Sequence, residues 1–333
     1  MSTELSQWTV IVPCHNAVKT LRRCIEAVQT QSRRPGEVVV VDDASDDGTA
    51  EIAEALGCKV IRVEPNRGPA AARNRGAAEA AGEVLFFLDA DIELRPDALA
   101  RAAAVLEGDP RIGLVQGVYA AEPMIDDGPV ERYKTLFEHH WRTRSAGRGG
   151  ATLFALTAIR TEVFKATGGF DEALRSGEDV DLGSRLPEDA VVVTDPGVVG
   201  RHDDVDRLGA LLEEQWRRSL RFAELVFRAR KAGPGRSSEH RPAVSTGAFG
   251  PAAVLAAAAI PASVPLVLWS PWLALAPVAF AIGFGAACAP LLRIAARRGI
   301  GWAAAVYGLH LLYVGTSGLA SAVGVFRPLR GRS

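Results

Sequence analysis

The sequence predicts an α/β fold: a Rossmann-like sheet of parallel strands covered by helices, followed by a separate apolar helical region. Three observations lead there. Short β-branched or aromatic runs alternate with segments whose apolar residues recur at helical spacing. Polar residues collect at the carboxyl end of each run, where open α/β sheets bind ligands. The acids lie in the first part of the chain, and none follows Phe249.

The elements follow in order. Trp8–Val12 is an apolar run ending at Pro13, and reads as the first strand. Thr20–Gln31 carries Leu21, Ile25 and Val28 at helical spacing, and Glu37–Val41 is a continuous β-branched run. Thr49–Leu56 reads as helix, Cys58–Val63 as strand, Ala70–Ala81 as helix and Val84–Leu88 as strand. Pro96–Leu106 reads as a helix with proline in its first turn. Strands this uniformly apolar are buried on both faces, which is the mark of a parallel sheet.

Composition narrows the function. The 333 residues carry 38 Lys+Arg and 39 Asp+Glu, a net charge of −1. A chain without basic excess is not expected to take nucleic acid as its partner. Four cysteines with no CxxC pair form neither a zinc ribbon nor a disulfide framework, and suggest a reducing compartment. The start, MSTELSQWTV, has no basic and apolar leader pattern, so no cleaved signal peptide is expected.

Three regions are expected: a soluble domain over residues 1–232, ending in an amphipathic helix over about 204–231; a Gly/Pro/Ser linker over 233–248; and a membrane region over 249–333 with two to three hydrophobic helices. Pro251–Leu292, broken near Ser270-Pro271, and Gly301–Phe326 are long enough to cross a bilayer. The expectation is a multi-pass protein of the cell membrane with its soluble domain cytoplasmic. Arg293, Arg297 and Arg298 would face the cytoplasm, and Arg327, Arg330 and Arg332 prefer that side too. An odd number of crossings forbids both. Either Gly301–Phe326 is re-entrant or interfacial, or the tail departs from the rule.

The turn after the first strand, PCHNAVKT, is not GxGxxG, and no GxxxxGK[ST] occurs. A nucleotide diphosphate would therefore need a metal to hold it. Asp89-Ala90-Asp91, closing the run LFFLD, offers two carboxylates to a hard divalent cation, Mg²⁺ or Mn²⁺. A surface turn with two solvated acids looks the same in isolation; the position after a buried strand favours the metal.

VIVPCHN, VVVVDDASDDGT, NRGPAAARNRG, FFLDADI, GGFDEAL and GEDVDLGSRL, in this order, resemble the GT-A fold glycosyltransferases of family 2. The resemblance covers about Thr9 to Arg230. It implies an inverting, metal-dependent transfer of a sugar from a nucleotide diphosphate sugar donor to a hydroxyl; the membrane segment favours a lipid-linked or cell-envelope glycan acceptor. It implies that Pro13, His15, Asn16, Asp42 and Asp43 line the nucleotide pocket, that Arg73 approaches the nucleotide, and that Asp89 also reaches the nucleotide sugar. It implies that Asp89, Asp91 and His202 hold the metal, and that of Glu178 and Asp179 the second is the general base. Asn66 and Gly68 shape the turn before Arg73, and Asp181 supports the loop.

Two departures qualify the resemblance. Processive relatives carry Q-x-x-R-W where this chain has Gln215-Trp216-Arg217-Arg218-Ser219, which favours single-sugar transfer. Leu156-Thr157 stands where relatives often have Asn, so the acceptor side is expected to be unusual. Other readings are a polyprenyl-phosphate sugar synthase, a nucleotidyltransferase and an inactive membrane scaffold.

Overall fold

The computed structural model describes residues 7–149, 152–174, 177–231, 251–265 and 270–326. The linker over 233–248 and the arginines at 327, 330 and 332 lie outside them.

The first part alternates as expected: β1 (Trp8–Cys14), α1 (Leu21–Gln29), β2 (Glu37–Asp43), α2 (Thr49–Ala55), β3 (Lys59–Val63), α3 (Pro69–Ala78) and β4 (Val84–Leu88). These four strands are parallel, in the spatial order β3-β2-β1-β4. Their residues alternate between two cores. Val10, Val12, Val40, Phe86 and Leu88 join one cluster; Ile11, Val39, Val41, Leu85 and Phe87 join the other. A strand buried on both faces needs apolar residues at every position, hence the continuous runs. α3 lies close on the sheet because residue 76 is glycine: a Cβ there would press into the Ile11 methyl.

The remaining elements of this part are β5 (Ile92–Leu94), α4 (Ala98–Gly108), β6 (Ile112–Tyr119), α5 (Pro129–Arg144), β7 (Gly147–Arg148), β8 (Leu156–Arg160), α6 (Thr161–Thr167), α7 (Glu178–Ser184) and β9 (Val191–His202). They make the sheet mixed rather than wholly parallel. β8 is antiparallel to β4 and β6, and β5 is antiparallel to β9. Pro96 precedes α4 instead of opening it. The Ala98 N–H donates to the Arg95 carbonyl at 3.0 Å, so Pro96 sits inside a turn that leads into the helix. Pro13 is accommodated within β1 because the β4 ladder ends at Ile11.

The chain divides into two units. Of the described residues, one holds those up to 126 and from 138 to 204; the other holds 127–137 and those from Val205 onward. The boundary thus falls inside α5. The second unit contains α8 (Leu208–Lys231), which the sequence placed with the soluble domain, together with α9 (Pro251–Ser263), α10 (Leu275–Ala287), α11 (Ala289–Ala296) and α12 (Ile300–Phe326). A break at Ser270-Pro271 is present, and α10 and α11 meet at a second, sharper one of 76°. Among the described residues α12 is the one helix long and apolar enough by itself to cross a membrane; α10 and α11 qualify only if the bent pair counts as one span.

Candidate active site

The site grows from the ends of the first unit's strands. β1 and β2 finish side by side, with Cys14 opposite Asp42. Both strand ends lead into loops that bind each other. The Asn16 N–H donates to Ser45 Oγ at 2.9 Å, and Asn16 Oδ1 accepts from the Asp46 N–H at 3.0 Å. Asn16 takes a left-handed conformation, φ 52°, which asparagine tolerates. His15 beside it is exposed.

The two acids that close β2 divide their work. Asp42 accepts from the Ser45 hydroxyl. Asp43 is spent on the next loop: its oxygens accept the N–H groups of Arg67 at 2.8 Å and Gly68 at 2.6 Å, while Asn66 Nδ2 donates to its carbonyl at 3.0 Å. That clasp sets the start of α3, and α3 carries Arg73.

Arg73 is buried beneath the site. Its guanidinium donates to Asp89 Oδ1 at 2.8 Å and to Glu178 Oε1 at 3.1 Å, and stands 3.8 Å from Asp179 Oδ1. One cation therefore joins the acid at the end of β4 to the pair that opens α7. The face of Phe170, 5.5 Å from the guanidinium carbon, completes its surroundings.

Glu178 and Asp179 follow Gly177, whose φ of +85° turns the chain into α7. Asp179 is fixed on one side and open on the other. Oδ2 accepts from the Phe154 N–H at 3.1 Å, and its carbonyl accepts from the Thr152 hydroxyl at 2.5 Å. Oδ1 is buried without a hydrogen-bond partner. Burial pushes this carboxyl up to about 6; Arg73 opposes the shift and Glu178 adds to it. Gly183, one turn on, lies against Thr152, and a Cβ there would drive into that side chain.

Asp91 and His202 meet through the sheet. β5 pairs with β9 so that Ile92 stands opposite His202. This brings His202 Nε2 to 3.5 Å from Asp91 Oδ2, while Nδ1 lies 3.2 Å from Asp204 Oδ2. Tyr119 stacks on the imidazole, centroids 4.5 Å apart. The Arg142 guanidinium carbon is 3.9 Å from the Tyr119 ring centre, and His139 Nδ1 lies 2.7 Å from the Tyr119 carbonyl. Burial alone would lower the pKa of His202, but Asp91 and Asp204 outweigh it and hold the imidazole well above its ordinary value.

The residues singled out from the sequence thus form three groups: Pro13, His15, Asn16, Asp42 and Asp43 around the β1 and β2 ends; Arg73, Asp89, Glu178 and Asp179 in one ionic cluster; and Asp91 with His202. Among the described residues, no three His, Cys, Asp or Glu side chains already converge as a metal cage. Asp89 gives one oxygen to Arg73. Asp91 Oδ1, however, is buried with no hydrogen-bond partner. A carboxylate oxygen so placed beside an imidazole suits a divalent cation whose remaining ligands come from substrate phosphates. The donors present therefore fit such an ion.

Sequence reasoning passed over Asn74, Thr152, Tyr119 and Asp204. Asn74 clasps the Gly168–Phe170 turn, donating from Nδ2 to the Phe170 carbonyl and accepting the Phe170 N–H at Oδ1, both at 2.9 Å. Its place beside Arg73 in NRGPAAARNRG was the available signal. Asp204, two residues after His202, was visible in the same way; nothing in the sequence marked Thr152 or Tyr119.

Comparison with known proteins falls on the same stretch. A sequence model described as glycosyl transferase family 2 matches residues 9–165. Glycosyltransferase AglE of Haloferax volcanii is 29% identical over 225 residues, 65% of this chain and 73% of the relative. An uncharacterized glycosyltransferase of Haemophilus influenzae is 32% identical over 181 residues, 52% of this chain and 60% of the relative. Among solved structures, mannosyltransferase PcManGT from Pyrobaculum calidifontis, in complex with GDP-Man and Mn²⁺, matches with a TM-score of 0.57 at 22% identity, covering 96% of this chain and 86% of that one. At that identity the likeness speaks for the fold. The matched stretch contains β1 to β4, Arg73 and the acids at 89 and 91; the family model, the glycosyltransferase relatives and the fold together support a family 2 glycosyltransferase of the GT-A fold.

Proposed function

We propose that this glycosyltransferase moves a single sugar, with inversion, from a nucleotide diphosphate sugar to a hydroxyl of a lipid-linked or cell-envelope glycan, on the cytoplasmic side of the membrane. The observation that carries the reading is Asp179: a buried carboxylate with one oxygen held by the Phe154 N–H and the other, 3.8 Å from Arg73, accepting no hydrogen bond. A general base needs that combination of fixed orientation and free acceptor, and a pKa of about 6 leaves it ionised near neutrality yet basic enough to take a proton.

In the proposed reaction Asp179 Oδ1 accepts the proton of the acceptor hydroxyl as that oxygen bonds to the anomeric carbon. The bond from that carbon to the diphosphate oxygen breaks on the opposite side, and the electron pair leaves with the nucleoside diphosphate. Arg73 keeps Glu178 and Asp89 from repelling Asp179 out of place. Asp42, Asp43, Pro13, His15 and Asn16, at the ends of β1 and β2, border the place for the nucleoside. Asp91 and His202, with Asp89, would hold Mn²⁺ or Mg²⁺, whose chemistry is to neutralise charge on the leaving diphosphate. The Mn²⁺ and GDP-Man of the Pyrobaculum calidifontis enzyme support a divalent cation and a nucleotide sugar here.

The test is Asp179→Asn, assayed for nucleoside diphosphate release from UDP-, GDP- and dTDP-sugars with a membrane extract as acceptor. Loss of the base should lower turnover by about 10²–10⁴-fold while donor affinity stays within twofold. Turnover that persists would point to a phosphate acceptor, which needs no base, and would overturn the hydroxyl reading.

A further inference from the structure

α12 has the length of a membrane span, yet its surroundings are those of a helix at an interface. One face carries Val306, His310, Tyr313, Val314, Ser317 and Ala320, all buried. Three of these have polar partners. Tyr133 Oη lies 2.9 Å from His310 Nδ1, the Lys134 ammonium lies 5.8 Å from the Tyr313 ring centre, and Gln215 Nε2 donates to Ser317 Oγ at 2.7 Å. These partners belong to α5 and α8, which are helices of water-soluble character. α8 pairs Arg217 with Glu213 at 3.4 Å and Arg218 with Glu214 at 2.7 Å along its outer side. The opposite side of α12 presents Leu312, Leu319 and Val323, exposed and spaced by seven and four residues, so that they form one stripe. Leu255 on α9 and Val278 and Ile282 on α10 add to the exposed apolar surface.

Upright insertion fails on length and on charge. Polar helices line one side of α12 from His310 to Ser317, so lipid could surround it completely only over Ile300–Leu309 or over Gly318–Phe326. Ten residues of helix reach about 15 Å, against the roughly 30 Å of a hydrocarbon core. Deeper insertion would carry Lys134 and the α8 ion pairs into hydrocarbon. Insertion to half depth would put Arg293, Arg297 and Arg298, which precede Ile300, near the bilayer centre.

From this packing we infer that α12 lies in the plane of an anionic lipid bilayer, not across it. Its Leu312–Leu319–Val323 stripe faces the acyl chains, and α5 and α8 lie on its aqueous side. The arginines before Ile300 then meet lipid headgroups at the first end of the helix. The conflict between the two arginine clusters disappears, because no crossing separates them. This inference does not depend on the reaction proposed above.

The test is single-site labelling of the full chain in membranes. Arg298→Cys and, in a separate variant, Ser333→Cys place a thiol before and after α12. A membrane-impermeant PEG-maleimide should modify both in inside-out vesicles and neither in right-side-out ones, with the wild type as background for the native cysteines; thiols that label from opposite sides show a crossing. Labelling from the outer side, or from neither side until detergent is added, overturns the in-plane arrangement. A protease site inserted between Arg298 and Gly299 must be cut from the same side if the thiol variant folds poorly. Purified protein should float with vesicles of phosphatidylcholine containing 30% phosphatidylglycerol, and Arg297→Ala with Arg298→Ala should weaken that binding about 30-fold at low salt. A chain that forms a dimer without lipid and does not float has a second copy on its apolar face, and the inference fails.

Discussion

Arg73 and Asp89 are joined at 2.8 Å, and the same guanidinium reaches Glu178 and Asp179. The acid that ends β4 and the acids that open α7 stand nearly ninety residues apart in the chain and share one buried counter-charge. Removing it should be costly. Arg73→Ala leaves three crowded carboxylates without their cation, and is expected to destabilise the first unit by about 3–5 kcal/mol at pH 7.5. The loss should shrink at pH 5, where Asp179, raised to about 6, takes up a proton. Urea unfolding at the two pH values checks this; equal losses would mean that Arg73 acts by packing alone.

Asp179→Asn should separate stability from activity. The folded pKa of about 6 lies above the ordinary 3.8. Between those values the folded chain binds more protons than the unfolded one, so this group's contribution falls as pH rises and is fully unfavourable above 6. The amide keeps an acceptor for the Phe154 N–H but carries no charge. The variant should therefore be more stable than wild type at pH 7.5, by no more than about 3 kcal/mol, and should match it at pH 3.5. Thermal melts at both values decide it.

The same group sets the acid limb of turnover. A base that must be ionised should make kcat fall about tenfold per pH unit below 6, with a plateau above. In Asp179→Asn the residual rate should lose that limb. An unchanged limb would assign the titration to another group.

Asp91→Ala should abolish the effect of metal on nucleotide binding. With Mn²⁺ and a nucleoside diphosphate at about 100 times Kd, binding should add about 2.7 kcal/mol, or roughly 5–10 °C in Tm. The variant should show nucleotide stabilisation that no longer responds to Mn²⁺ or to chelator. Its fold should hold, because Oδ1 accepts no hydrogen bond and Asp204 still faces His202 when Oδ2 is lost.

Asn74→Ala tests a residue that touches none of the proposed reacting atoms. It removes both hydrogen bonds to Phe170, whose ring covers Arg73. Stability should fall by about 1–3 kcal/mol, and kcat should fall with little change in donor KM. A fall in KM alone would place Asn74 elsewhere in the cycle.

The sequence by itself determined the parallel half of the sheet. A strand covered on both faces must be apolar at every residue, so Glu37–Val41 and Val84–Leu88 announced themselves, as did the acids that close them. It also marked Glu178 and Asp179, because a glycine-led pair of acids before a helix is legible locally. What it left open was decided by long-range pairing. The antiparallel strands β5, β8 and β9 carry no signature of their direction. Only the β5–β9 ladder brings His202 to Asp91 across about 110 residues of chain. The resemblance implied that Arg73 approaches the nucleotide; that it also stands among three carboxylates is set only by the packed α3. The apolar helices likewise show length and composition in the sequence. Which face of α12 is lined by His310 and Ser317, and which by leucines, depends on the helices packed against it, and those contacts exist only in the folded chain.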